Sequence, residues 1–207
     1  MLDIEVTQIL LALATYLVAT ASPGPATLSI MEVAMNKGKR PALIFASGVL
    51  LGSFIWALLA LLGIAALLST YASVLYWLKI MGGVYLLWLS YKSIKKVFSS
   101  SPIKSNILDT NKLFIQGLAL HISNPKAIFT WVAIVSLAQP QNASITLSTI
   151  ILLSCMLLGV FVFGGYALLF STAKAQAIYK KLSNWFNGLL TVVFGVAGTK
   201  LLLTPHS

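Results

Sequence analysis

Ala21-Ser22-Pro23-Gly24-Pro25, late in the first apolar run, decides how this chain folds, and Asn124-Pro125-Lys126-Ala127 in the fourth apolar run is its counterpart. Proline removes a backbone donor and clashes with the preceding turn, so each motif breaks an apolar helix and frees polar backbone groups. At membrane depth such groups are tolerated only when buried in protein or lining a cavity. A chain broken in this way at matching places in both halves has the layout of a transporter.

Composition supports the membrane setting. Of 207 residues, 58% are hydrophobic and only 9% are charged. A soluble domain carries about 25% charged residues, so this chain lacks the surface to stay in water. The net charge of +10 does not signal nucleic acid, because most of the lysines form short clusters between apolar runs, with no basic patch interleaved with stacking aromatics. Cys155 is the only cysteine and lies in an apolar run, which excludes an internal disulfide, a thiol pair and a cysteine-based metal cage. The chain opens with Asp3 and Glu5 rather than a basic segment, so the first apolar stretch is expected to be a retained span, not a removed signal peptide.

Apolar runs of bilayer length can be placed six times: Val6–Met35, Pro41–Leu68, Ser73–Tyr91, Leu113–Ala138, Ile145–Thr172 and Leu182–Leu203. Basic residues orient them. Lys37, Lys39 and Arg40 follow the first run, Lys92, Lys95, Lys96, Lys104 and Lys112 the third, and Lys174, Lys180 and Lys181 the fifth. The other connections carry none, which puts the odd-numbered connections in the cytoplasm and both termini outside.

A shift of 102 residues carries Pro23 onto Pro125, and a shift of about 105 carries Gly83 onto Gly188. Each half then consists of a broken helix, a long helix and a third helix: residues 1–93, a cytoplasmic linker 94–111, and residues 112–207. An odd number of spans per half forces opposite orientations. The expected fold is an all-α membrane protein with an inverted 3+3 repeat, in a single transmembrane domain.

Chemistry is expected at the breaks. Pro25 and Pro125 are suited to the first turn of a new half-helix, where a missing donor costs nothing. Ser22 and Asn124 stand just before these starts, with side-chain oxygens able to cap free amides. Half-helix N-termini carry partial positive charge, which suits a carboxylate. A lysine at mid-span costs about 2.5–3.5 kcal/mol on insertion scales, so Lys126 needs a cavity, a partner or a substrate. Either it completes an anion subsite with Ser22, Pro23, Gly24, Pro25, Asn124 and Pro125, or it pairs with a carbonyl or with Glu32 and holds the bundle together. Glu32 is either a solvated residue near the cytoplasmic end or a gating and coupling group. His121, one turn before Pro125, is either a packing residue or a proton carrier. Gly48 and Gly52 make a small-residue packing face.

At these residues the chain resembles the LysE/RhtB family of bacterial amino-acid exporters. The likeness rests on both proline motifs, the basic Asn36–Arg40 turn followed by Gly48, and Gly83-Val84-Tyr85-Leu86. It implies a multi-pass secondary exporter of the bacterial cytoplasmic membrane, driven by proton antiport, with an amino acid or analogue and protons as partners and no cofactor. Family members commonly place Asp or Asn after Pro-Gly-Pro, whereas this chain has Ala26. That departure points away from cationic amino acids and toward neutral ones. A membrane enzyme would want clustered carboxylates or histidines, and Asp3, Glu5, Glu32 and Asp109 are scattered. Export of another small solute or ion and a non-transport assembly role remain as alternatives. Glycine-rich faces permit a homo-oligomer without requiring one.

Overall fold

The computed structural model describes residues 2–22, 24–64, 80, 84, 87–88, 90–91, 93–95, 112–138 and 144–203. These are helical, with no strand among the described residues. The helices are α1 (Leu2–Ala21), α2 (Pro25–Lys37), α3 (Lys39–Leu59), α4 (Leu113–Ile122), α5 (Pro125–Ala138), α6 (Ile145–Leu169) and α7 (Ala173–Leu203). A π-helical turn, Ala60–Ile64, continues α3.

The helix ends follow from local chemistry. Ser22 N–H still reaches the Val18 carbonyl, and the next helix begins at Pro25 with Gly24 before it in extended conformation. The axes of α1 and α2 differ by 51°, and those of α4 and α5 by 57°. Gly38 joins α2 to α3 at a φ of 86°, a left-handed conformation that a side chain would strain. Ser144 caps α6, its hydroxyl accepting from Leu147 N–H at 3.1 Å.

Among the described residues, α3 and α6 are long and apolar enough to cross a membrane, and each bent pair could count as one further span. On α6, Leu153, Leu157, Val160 and Phe161 are exposed, a surface that water would penalise and hydrocarbon would not. The expected sixth span, Leu182–Leu203, is part of a longer helix. It begins at Ala173, because the run from Ala173 to Lys181 is rich in Ala, Lys and Gln, all strong helix formers. Most of the expected third span and of the linker 94–111 lies outside the described residues.

The chain divides into a compact unit of Met1–Ala65 with Ser105–Thr172 and another of Ala66–Lys104 with Ala173–Ser207. Within the second, the Ser90 hydroxyl donates to the Thr191 carbonyl at 2.8 Å. The first unit holds α1–α6 and carries two buried clusters. In one, Tyr16 of α1 packs with Ala57 of α3, Trp131 and Ile134 of α5, and Cys155 of α6. In the other, Ile30 and Val33 of α2 meet Phe45 and Val49 of α3, Leu113 of α4 and Phe163 of α6. Cys155 is fully buried, as a packed thiol should be.

α3 and α4 touch backbone to backbone. A Cβ on Gly48 would overlap the Phe114 carbonyl oxygen, and one on Gly117 would overlap that of Phe45. Gly52, one turn on, lets His121 lie against α3; a Cβ there would come within 2.9 Å of the His121 Cβ. The small-residue face expected on the second span thus has its partner in α4.

Candidate functional site

Between the two buried clusters lies a cavity of about 30 Å³. One end is polar and made by the helix interruptions: Gly24 of the first, Asn124 and Lys126 of the second. The rest of the lining includes Tyr16, Ser53, His121, Thr130, Trp131 and Phe163.

Lys126 is the second residue of α5, and its side chain crosses to the other interruption. Its Nζ donates to the Ser22 carbonyl at 2.7 Å and to the Ser22 hydroxyl at 2.8 Å. The Ser22 hydroxyl in turn donates to the Ala19 carbonyl at 3.0 Å. The Ala21 carbonyl accepts from the Tyr166 hydroxyl at 2.8 Å. The Ala19 and Ala21 carbonyls at the end of α1, and the Ser22 carbonyl just beyond it, are therefore taken up by side chains, as a helix end inside a packed bundle requires. They also form the negative end of the α1 dipole, which favours a cation. Gly24 leaves room for the Lys126 side chain, since a Cβ there would come within 3.0 Å of its Cδ and Nζ.

The interruptions are closed differently. Asn124 is buried, its Oδ1 accepts from Lys126 N–H at 3.1 Å, and its carbonyl accepts from Ala127 N–H at 3.0 Å. The start of α5 is thus capped by Asn124 itself, the role that its position suggested. Ser22 does not cap α2: its hydroxyl turns back onto α1. The Thr27 hydroxyl does the local work instead, accepting from Gly24 N–H at 3.0 Å.

The cavity lining carries a second polar knot. Ser53 Oγ accepts from Trp131 Nε1 at 3.2 Å and is 3.1 Å from the Tyr16 hydroxyl. The Tyr16 and Trp131 rings pack at 5.5 Å between centroids. Gly159 of α6 makes space for the phenol, because a Cβ there would lie 2.6 Å from its oxygen. These residues were not singled out in the sequence. A hydroxyl inside the apolar run at Ser53 was the available signal, but its partners lie 37 and 78 positions away.

His121 is buried on the same cavity, and its Nδ1 has no hydrogen-bond partner among the described residues. Its ring meets Phe163 edge-on at 6.0 Å between centroids. Of the expected site residues, the structure gathers Ser22, Gly24, Asn124, Lys126 and His121. Pro25 and Pro125 begin α2 and α5 and are half-buried. Pro23 lies outside the described residues. Glu32 is half-buried further along α2 and does not line the cavity. No group of three or more His, Cys, Asp or Glu able to hold a metal occurs among the described residues.

A bridged pair of helix interruptions beside a polar-ended cavity, in a chain of apolar helices, is the layout of a small-solute translocator. The chain belongs to the LysE type translocator family, whose model matches residues 17–204. It is 26% identical to a threonine efflux protein of Escherichia coli K12 over 194 residues, covering 91% of this chain and 94% of the relative. It is 29% identical to a leucine efflux protein of Enterobacter sp. strain 638, covering 83% and 85% respectively. No solved structure matches the chain.

Proposed function

We propose that this chain is a secondary-active exporter of amino acids, neutral ones above all, or of their close analogues. It works across the bacterial cytoplasmic membrane, with both termini outside, by alternating access in exchange for protons. The spans form an inverted 3+3 repeat of residues 1–93 and 112–207, and access alternates around a site at the midplane. Support for the repeat comes from the compact units, each of which draws corresponding pieces from both halves.

The observation that carries the functional reading is the Lys126 bridge to Ser22 beside the cavity, in a member of a translocator family with threonine and leucine efflux relatives. The Lys126 ammonium serves the substrate carboxylate together with the start of α2, whose first amides have no intrahelical acceptor. No Asp or Glu is among the residues that line the cavity, so a second positive charge on the substrate has nothing to meet. That favours neutral side chains. His121 is the first choice for proton transfer and Glu32 the second.

At about 30 Å³ the cavity is far below the roughly 300–1,000 Å³ of a ligand pocket, so it holds water but not an amino acid. Admission requires the lining to move, as alternating access demands. Cells producing the protein, loaded through dipeptides with threonine, leucine or lysine, test the substrate class. The neutral residues should appear outside faster than in control cells and lysine should not. Faster lysine release with no change in the neutral pair overturns the assignment.

A further inference from the structure

We infer that the Ser22 carbonyl and hydroxyl are the binding site for the substrate's α-ammonium group, and that Lys126 occupies it as a tethered stand-in until substrate displaces it. The inference rests on the amino-acid export reading and adds the second half of the zwitterion site. An ammonium group already sits there, with donor distances of 2.7 and 2.8 Å to two oxygens of one residue. Those are the contacts that a free amino acid's ammonium would make, since both cations are tetrahedral N–H donors with no acceptor.

The site is built for a cation from one side only. Ser22 follows the C-terminal end of α1, where the helix dipole is negative and the Ala19 carbonyl orients the hydroxyl. Lys126 itself is rooted in the first turn of α5, where the dipole is positive and disfavours its charge. The tether therefore holds the ammonium in a good site from an unfavourable base. An arriving α-ammonium can replace it without loss of hydrogen bonds. The released Lys126 Nζ is then available to the carboxylate of the same molecule, and Gly24, with no Cβ to crowd the Lys126 Cδ and Nζ, does not obstruct its movement. Binding thereby breaks the polar bridge between the two helix interruptions, a contact that must open for access to alternate.

The test compares binding to purified wild type and Lys126→Met with L-leucine, L-threonine, their decarboxylated amines (isopentylamine and 1-aminopropan-2-ol), and 2-hydroxy-4-methylpentanoate. If Lys126 competes for the ammonium site, each amine binds the methionine variant at least tenfold more tightly than wild type, while 2-hydroxy-4-methylpentanoate gains nothing. Equal amine affinity in the two proteins overturns the inference. Should Lys126→Met not yield folded protein, wild type decides alone: 2-hydroxy-4-methylpentanoate must compete with L-leucine at least tenfold more weakly, and competition within threefold overturns the inference. Wild type that binds no amino acid overturns the export reading and this inference with it. Wild type that binds amino acids, with amines indifferent to Lys126, overturns the inference alone.

Discussion

The Lys126 Nζ and the Ser22 carbonyl oxygen lie 2.7 Å apart across 104 positions of sequence, so that one helix interruption is tied to the other by a single charged side chain. A proline at the start of α5 sets Lys126 on its first turn, and the end of α1 supplies the carbonyl it reaches. The Ser22 carbonyl has no intrahelical N–H to serve because α1 ends before it, whereas in an unbroken helix it would accept from the residue four positions on.

Replacing Lys126 with Gln keeps a donor for Ser22 but removes the charge available to a carboxylate. A hydrogen bond to a charged group contributes about 1.5–3 kcal/mol. Affinity of the purified protein for its amino acid should fall by roughly ten- to hundredfold. An unchanged dissociation constant removes Lys126 from the substrate site.

His121→Gln should retain exchange in proteoliposomes but lose its response to an imposed pH gradient. The neutral amide fills the space beside Gly52 without a titratable nitrogen. Exchange that keeps its full pH dependence excludes His121 as the proton carrier and turns attention to Glu32.

Ser53→Ala removes the acceptor that Trp131 Nε1 uses and the partner of the Tyr16 hydroxyl. A buried polar group left without a partner costs about 1–3 kcal/mol. The thermal midpoint of the detergent-solubilised variant should drop, whereas Ser47→Ala on the exposed face of α3 should leave it unchanged.

Gly48→Ala and Gly117→Ala each drive a methyl into a backbone carbonyl across the α3–α4 contact. Backbone cannot rotate away as a side chain can, so each should destabilise by about 1–3 kcal/mol or more. Gly164→Ala, which meets nothing within 4 Å, serves as the control and should be neutral. Thermal unfolding in detergent, followed by size-exclusion profile, distinguishes the pair from the control.

Local features of the site were legible because their cause is local. A proline permits a helix to start but not to pass, so the positions of Pro25 and Pro125 followed from backbone chemistry alone, as did the Asn124 cap. The Lys126 contact was legible only as a choice between a carbonyl, Glu32 and a substrate. The contact with the Ser22 carbonyl depends on where α1 ends in space, which no local pattern gives. The Tyr16–Ser53–Trp131 knot was not legible, since no periodicity links three residues on three helices. Ser22 shows the opposite case: the residue type and position suited a cap, yet its hydroxyl turns back to Ala19 because Thr27 already closes the turn at Gly24. The two compact units also cut across the sequence halves, and no composition break marks that boundary.

The most direct test of the whole account is counterflow in proteoliposomes. Vesicles holding purified protein and one unlabelled amino acid are presented with the same labelled compound, with and without a pH gradient. Exchange confined to neutral amino acids such as threonine and leucine, and biased by the gradient, is the predicted result. Folded protein that exchanges none of them, or that exchanges lysine in their place, would contradict it.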